Sequence, residues 1–377
     1  MAGSGKKDIR CLQKIEQLNY MKRIAIIGTN GLPGNYGGWD QLVNNLTIYL
    51  KHDFHFIVYT SKKKKDVHPK FINSAQIEYI NLSPNGFQSI FYDFVSMIDA
   101  VFKADILFVC GISGCIFFPF IKLFNKNIFL NPDGIEWKRK KFSIPAKIFL
   151  KISEYVGVKC SNIIIADNLK IQEYVFEKYK KNSFLIEYGG DHVKSGIRLG
   201  NKLKSEFGLC EKKYAFKVCR IEPENNIETI LDAFSRIELQ LILIGNWNNS
   251  KFGIDLRKNF SKYSNLILLD PIYDLEVLDQ FRNNCLIYIH GHSVGGTNPS
   301  LVEAMSLGLP IIAFDVEYNR ETTENKALYF YNSDDLYQIL NELEIINFKF
   351  ISNHMLEIAK RRYTWEIITG KYKSIFN

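Results

Sequence analysis

The chain has 377 residues, a hydrophobic fraction of 46% and a net charge of +8. This length and apolar content exclude a largely disordered polymer and fit two α/β domains of ordinary size. Seven scattered cysteines without Cys-x-x-Cys spacing exclude a disulfide framework and a thiolate zinc site, so they read as reduced core residues of a cytoplasmic protein.

Residues 1–20 are polar and charged and lack the apolar core of a secretory signal. Met21-Lys22-Arg23 reads as an alternative start, which makes 1–20 either a natural extension or a tag remnant. From there strand-like runs alternate with amphipathic stretches. The first half predicts strands at Ile24–Ile27, Phe56–Thr60, Ile77–Ile80, Ile106–Cys110, Ile128–Leu130, Ile163–Ala166 and Phe184–Glu187. The second predicts Ala215–Cys219, Leu241–Ile244, Leu266–Leu269, Leu286–Ile289, Ile311–Phe314 and Leu328–Phe330. Strands taking turns with helices mean βαβ units and parallel sheets. Gly189-Gly190-Asp191 closes the first unit, so the expected domains are 21–192 and 193–360, with 361–377 a closing helix. Ile106–Ile121 is apolar throughout, but Gly111, Gly114 and Pro119 interrupt it. It is also shorter than the ~20 residues of a spanning helix. It reads as a buried strand, a glycine loop and an apolar helix.

The loops after the strands carry the chemistry. Gly28 to Gly38 has the spacing G-x-x-G-x-x-G-x-x-G-G, which brings backbone N–H groups close to an anion. It lacks the G-x-G-x-x-G of a dinucleotide site. Asp40 is a first-turn acid of the next helix. Lys62–Lys65 reads as a solvated basic run. Asp133, Gly134, Glu136 and Trp137 follow the fifth strand, at the carboxyl edge where α/β sheets bind ligands. The carboxylates suit sugar hydroxyls and Trp137 suits a sugar face; the plainer reading is a capped helix start with a core tryptophan. Lys138–Lys141 is a second basic run, able to meet a phosphate or a membrane surface. Arg220 ends the first strand of the second unit, and its planar fork can clamp a diphosphate.

In residues 291–310, "GHSVGGTNPSLVEAMSLGLP", a buried strand runs into Gly295-Gly296, a Thr297-Asn298-Pro299 helix start and an apolar helix. Such a start offers free N–H groups and partial positive charge to an anion. Glu303, one turn in, suits the two hydroxyls of a ribose, or is simply a dipole-favoured acid. His290 and His292 flank the turn, and His292 is a candidate donor contact. Asp270–Tyr273 and Asn319–Glu321 are further loops on the same edge. No nucleic-acid motif accompanies the positive charge, so phosphorylated substrates or anionic lipid are the partners it favours.

"HGHSVGGTNPSLVEAM" (290–305) resembles the donor-nucleotide motif of retaining GT-B glycosyltransferases of the GT4-like family, most of all the bacterial rhamnosyltransferase branch with a DUF1972-type amino-terminal domain. Four further segments agree in order: "IAIIGTNGLPGNYGGWDQLVNNL" (24–46), "NPDGIEWKRKKF" (131–142), "CRIEPENNIETI" (219–230) and "YTWEIITGKY" (363–372). The resemblance implies an α/β fold of two Rossmann-like domains facing an interdomain cleft, with the last helix crossing back to the first domain. It implies a nucleoside-diphosphate sugar as donor, no metal or cofactor, and transfer with retention. The favoured donor is dTDP-rhamnose, with a UDP-sugar as the alternative. The acceptor is a saccharide or a lipid-diphosphate-linked saccharide, met at the cytoplasmic membrane face for surface polysaccharide synthesis. Ile116–Phe124 and the basic run would then touch anionic lipid.

Carried onto this chain, the resemblance makes Asp133, Arg220 and Glu303 the catalytic candidates. Gly37, Gly38, Arg220, His292, Gly295, Gly296, Thr297, Asn298 and Glu303 would hold the donor. Glu136, Trp137, Lys138 and Arg139 would meet the sugar or acceptor. Asp133 stands where many relatives have His. Asn225 stands where the broad family has a diphosphate-binding Lys, so either Arg220 and the helix after Asn298 suffice, or Lys217, Lys138 or Arg139 helps. Gly295 stands where the first of two glutamates is usual, which is compatible with a 6-deoxy-L-hexose. Two other readings remain: a sugar-nucleotide epimerase of the same shape, and a non-catalytic nucleotide-sugar-binding subunit.

Overall fold

The computed structural model describes residues 21–34, 37–62, 67–139 and 142–377. Residues 1–20, most of the Lys62–Lys65 run, and Lys140 and Lys141 lie outside the described residues.

Two sheets form. The first contains β1 (Arg23–Ile27), β2 (His55–Ser61), β3 (Phe71–Ile72), β4 (Ala75–Ile80), β5 (Ile106–Cys110), β6 (Asn127–Asn131), β7 (Ile163–Ala166) and β8 (Phe184–Leu185), in the order 3-4-2-1-5-6-7-8. The second contains β9 (Tyr214–Val218), β10 (Gln240–Ile244), β11 (Leu266–Leu269), β12 (Ile287–His290), β13 (Ile311–Phe314) and β14 (Leu328–Phe330), in the order 11-10-9-12-13-14. All pairings are parallel except β3 with β4. The apolar, β-branched runs read from the sequence are these parallel strands, covered on both faces by helices as such strands must be. β3 was not anticipated: two residues at a sheet edge leave no periodic signal.

Both sheets are GT-B-type Rossmann-like layers. Their order reverses at one place each, between β1 and β5 and between β9 and β12. Ligand crevices in open α/β sheets lie beyond the carboxyl ends of the strands at such reversals. Beyond these four strands lie the loops that begin at Gly28, Gly111, Cys219 and Gly291.

Ile26, Phe108, Tyr188, Tyr288, Met305 and Tyr372 belong to one apolar cluster that spans both sheets. The last helix, Trp365–Phe376, extends it. Thr364 caps the helix by accepting from the Ile367 N–H at 3.3 Å. Trp365, Ile368, Tyr372, Ile375 and Phe376 form its buried side. Tyr372 and Phe376 pack on Phe108 at 5.5 and 6.0 Å between ring centres, and Phe376 packs on Phe54 at 5.6 Å. This helix, at the end of the chain, therefore rests on the first sheet's side. Among the described residues no helix is long and apolar enough to cross a membrane.

Candidate active site

The loop after β12 sits at the second sheet's reversal point and leads into the helix Pro299–Ser306. Leu301, Val302, Ala304 and Met305 bury that helix, and Pro299 stands at its first turn. Asn298 is the N-cap: its Oδ1 accepts from the Ser300 N–H at 3.0 Å and from the Ser300 hydroxyl at 2.8 Å. The Leu301 and Val302 amides return to the Asn298 carbonyl at 3.0 and 3.3 Å. This corrects the expectation of free first-turn N–H groups. What the turn can offer an anion is the helix dipole and the amides of Gly295–Asn298 before the cap.

Beside this loop stands Arg220, just past β9. Its side chain is 41% exposed and its ion pair with Glu222 is loose, at 3.8 Å. Asn225 fills the place of the missing lysine and is buried. Its Nδ2 donates to the Arg220 carbonyl at 2.8 Å, which turns its Oδ1 toward His292 Nδ1 at 3.0 Å. His292 Nδ1 therefore carries the proton and donates. Burial, with Arg139, Arg220 and Lys217 nearby, pushes the His292 pKa down to about 3, so the ring is neutral at physiological pH. Asn319 Nδ2 holds the His292 carbonyl at 2.8 Å. His290 is also buried, and burial and Lys217 push its pKa well down.

The first domain meets the loop at several points, each identified by what an added Cβ would strike. A Cβ on Gly38 would lie 2.9 Å from Pro299 Cγ; one on Gly134 would lie 2.8 Å from Gly295 Cα. A Cβ on Gly296 would lie 1.8 Å from Asp167 Oδ1. Asn168 Nδ2 reaches Thr297 Oγ1 at 3.4 Å and Glu321 Oε2 at 2.8 Å. Gly37, by contrast, has open space around its Cβ position and a φ of 95°. Gly134 and Gly295 thus let two backbones touch across the cleft, while Gly38 and Gly296 make room for the Pro299 and Asp167 side chains. Gly296→Ala is expected to destabilise the protein by about 1–3 kcal/mol through overpacking. Calorimetry checks this, and Asp167→Ala in the same chain should restore most of the melting temperature.

Asp133 lies on this rim with φ 58°, a left-handed backbone that a non-glycine residue adopts at a cost. Its carboxylate pairs with Arg139 at 3.1 Å. Arg139 is 6% exposed, and its charge is held by Asp133, Glu136, Glu222 and Glu224, the last two from the second domain. It is the cross-cleft cation among those proposed to replace the lysine. Lys217 is instead buried on β9, and burial lowers its pKa. Glu136 is half-buried and Lys138 exposed on the short turn after Gly134. Trp137 is not an open platform: Lys151 and Lys178 ammonium groups lie 4.2 and 5.1 Å from its ring centre, and it packs on the first domain's core. This corrects its reading as a surface for stacking a sugar.

Glu303 is deeply buried and already paired. Arg282 binds its Oε2 closely, and His192 Nε2 lies 3.1 Å from its Oε1. Burial pushes the carboxyl pKa up, but Arg282 and His192 outweigh it, and the net shift is downward. Arg282 also pairs with Asp279 at 3.2 Å. His192 Nδ1 accepts from Trp365 Nε1 at 3.0 Å, so its Nε2 holds the proton given to Glu303. The carboxylate is thereby fixed to the interdomain hinge and to the last helix.

Several of these residues escaped the sequence reading: Asp167, Asn168, Arg282 and His192. Asp167-Asn168 carried a faint signal as polar residues at a strand's carboxyl end. Burial and the charge of Asp133 raise the Asp167 pKa well above the usual carboxylate range. Among the described residues no group of three or more His, Cys, Asp or Glu could hold a metal ion.

Residues 21–191 match the family model "Domain of unknown function (DUF1972)", and residues 202–347 match "Glycosyl transferases group 1". Protein CapJ of Staphylococcus aureus is 24% identical over 172 residues, a stretch that takes in 43% of this chain and 43% of that relative, less than half of either. Among solved structures, sucrose-phosphate synthase of Thermosynechococcus elongatus superposes with a TM-score of 0.77 at 16% identity, covering 94% of this chain and 98% of that one. Anabaena HepE in complex with UDP-glucose superposes at 0.72 and 15% identity, covering 94% and 99%. At such identities these likenesses show the GT-B fold alone.

Proposed function

We propose that the protein, whose residues 202–347 match the glycosyl transferases group 1 model and whose chain takes the GT-B fold, moves a hexosyl unit from a nucleoside-diphosphate sugar to a hydroxyl group, with retention. The observation that carries the reading is the arrangement at the second sheet's reversal point. A half-exposed arginine, loosely paired, stands beside a glycine turn and a helix tip, and the first domain's glycines and Asp133 face them.

The chemistry follows from charge. The bond from the anomeric carbon to the diphosphate breaks, its electron pair goes to the phosphate oxygen, and the acceptor oxygen bonds the carbon. Positive charge grows on the ring and negative charge on the leaving group, so preorganised donors near the diphosphate supply most of the catalysis. Arg220, the Gly295–Asn298 amides and the helix dipole serve there, with Arg139 as the second cation. Glu303, held rigid by Arg282 and His192, presents its remaining lone pairs to the ribose. Asp133 stands near the reacting sugar. With retention, acceptor and leaving oxygen share one face of the ring, and the departing phosphate oxygen is the base nearest the acceptor proton.

The motif resemblance favours dTDP-rhamnose, and Gly295 supports it. The place of an acidic sugar contact carries no side chain, and a Cβ there would stand 3.3 Å from His292 Nε2, a tight contact. HepE, a fold neighbour, was solved with UDP and with UDP-glucose, so a UDP-sugar is the competitor. The acceptor is a saccharide or lipid-diphosphate-linked saccharide at the inner face of the cytoplasmic membrane. A thermal-shift series with UDP, dTDP, GDP and their sugars tests the donor. A ligand at 100 times its Kd should add about 2.7 kcal/mol of stability. We expect dTDP-rhamnose to give the largest shift. No shift with any nucleotide would reject the site, and donor turnover without acceptor would point to epimerisation.

A further inference from the structure

Two helices of the first domain bury polar groups while exposing large apolar ones. Gln88–Lys103 buries Ser89, Asp93 and Ser96 alongside Tyr92, Met97 and Ala100. It exposes Phe91, Val95 and Phe102, the last to 72%. Ile144–Cys160 buries Ser153 and Glu154 with Leu150, Gly157 and Val158. It exposes Ile144, Ile148, Ile152 and Tyr155, a straight stripe at helical spacing. The inward hydroxyls and one oxygen of Glu154 are paired: Ser153 Oγ donates to the Ile112 carbonyl at 2.5 Å, and Glu154 Oε1 accepts from Lys178 at 3.0 Å and Tyr174 at 2.5 Å, while among the described residues Asp93 Oδ1 and Glu154 Oε2 are buried without a hydrogen-bond partner. The apolar side is thus not in reserve for the protein's own core.

The segment 117–124 packs against both helices and joins the two stripes. Phe94 meets Phe117 at 4.3 Å, Phe102 meets Phe124 at 5.8 Å, and Phe120 meets Phe124 at 5.7 Å between ring centres. Phe120 and Leu123 are exposed between the helices. A contiguous exposed apolar face of this kind marks a docking surface.

The charge around this face has one sign. The segments 115–127 and 144–160 carry Lys122, Lys126, Lys147, Lys151 and Lys159 against Glu154 alone, and Glu154 is 1% exposed. Asp99, on the other helix, is neutralised by Lys103 at 2.7 Å. A second copy of the chain on this face would bring lysines against lysines. An anionic bilayer would accept the aromatic and aliphatic side chains among its headgroups and the lysines at its phosphates. Ile144 also lies five positions past Arg139 of the cleft rim, so the face begins where an acceptor would enter.

We propose that the face formed by helices Gln88–Lys103 and Ile144–Cys160 and the segment between them docks the protein on an anionic phospholipid bilayer, with the cleft mouth at the membrane surface. This deepens the acceptor side of the reading above, and its test needs no reaction. Full-length protein is sedimented with vesicles of pure phosphatidylcholine and of phosphatidylcholine containing phosphatidylglycerol. We expect binding to the second, weakened by salt. Ile148→Ser/Ile152→Ser should weaken it at least about tenfold, through loss of two inserted side chains. Both positions are exposed, so the fold survives, and the nucleotide-induced melting shift should stay as in the native chain. Equal recovery of the native protein in the supernatant with both vesicles overturns the proposal. So does a native dimer by light scattering that the double variant splits while vesicle binding is unchanged. A native chain that shows no nucleotide shift would instead count against the donor reading, whatever its binding to vesicles.

Discussion

Arg220→Ala is expected to lower turnover at least about a hundredfold while leaving the melting temperature nearly unchanged. The kinetic loss follows from removing one preorganised donor to a leaving diphosphate, worth about 3 kcal/mol. The unchanged stability follows from the side chain's exposure and its 3.8 Å separation from Glu222, a surface pair of little energetic weight. Arg220→Lys should recover only part of the rate, since an ammonium cannot present a planar fork. Asn225 refines the expectation. Because it binds the Arg220 carbonyl, it fixes the backbone from which the guanidinium projects. Steady-state kinetics with the donor identified by thermal shift checks all of this. Native kcat/KM in Arg220→Ala would remove the arginine from the diphosphate.

Arg282→Met carries the largest expected effect on stability, a loss of about 3–5 kcal/mol. Breaking a buried ion pair on one side strands the other charge. Here two carboxylates lose their shared cation: Glu303, left with His192, and Asp279, left with the Lys194 N–H, both nearly fully buried. The sign of the pH dependence is fixed by Glu303. Its folded pKa lies below the ordinary 4.5, because Arg282 and His192 outweigh burial. The native pairing therefore contributes stability above the unfolded pKa and loses it as pH falls through the folded one. Without Arg282, burial prevails and the carboxyl takes up its proton more readily. The gap between variant and native chain should be widest at neutral pH and narrow as pH drops below about 4.5. Denaturant titrations at several pH values read this directly. A constant gap would show that Arg282 acts by packing alone.

Much of the fold was legible because parallel strands buried on both faces read as short continuous apolar runs, and each loop followed its strand in order. Glycine and proline punctuation placed the Gly295–Asn298 turn, and the order of the loops placed Arg220 beside it. The less legible features depend on distance along the chain. Arg282 and Glu303 are 21 residues apart and His192 and Glu303 are 111 apart, so no local pattern announces their network. Asp167 meets Gly296 for the same reason of topology alone. Trp137 looked like a sugar platform because its local motif is silent about Lys151 and Lys178. The helix tip looked open because a sequence names its cap without showing that Asn298 satisfies Ser300. The outward stripes were the opposite case. Helical periodicity was visible, but only the buried Ser153, Glu154, Asp93 and Ser96 show which side faces the core.

The central claim is that a diphosphate lodges between Arg220 and the Gly295–Asn298 turn, with Glu303 at the ribose. A crystal structure with bound dTDP or UDP tests it most directly. Phosphate oxygens are expected within hydrogen-bond distance, about 2.7–3.2 Å, of the Arg220 guanidinium and the turn amides. Ribose hydroxyls are expected on the Glu303 carboxylate with Arg282 still in place. A nucleotide seated elsewhere, with Arg220 still on Glu222 and the turn untouched, would contradict this claim.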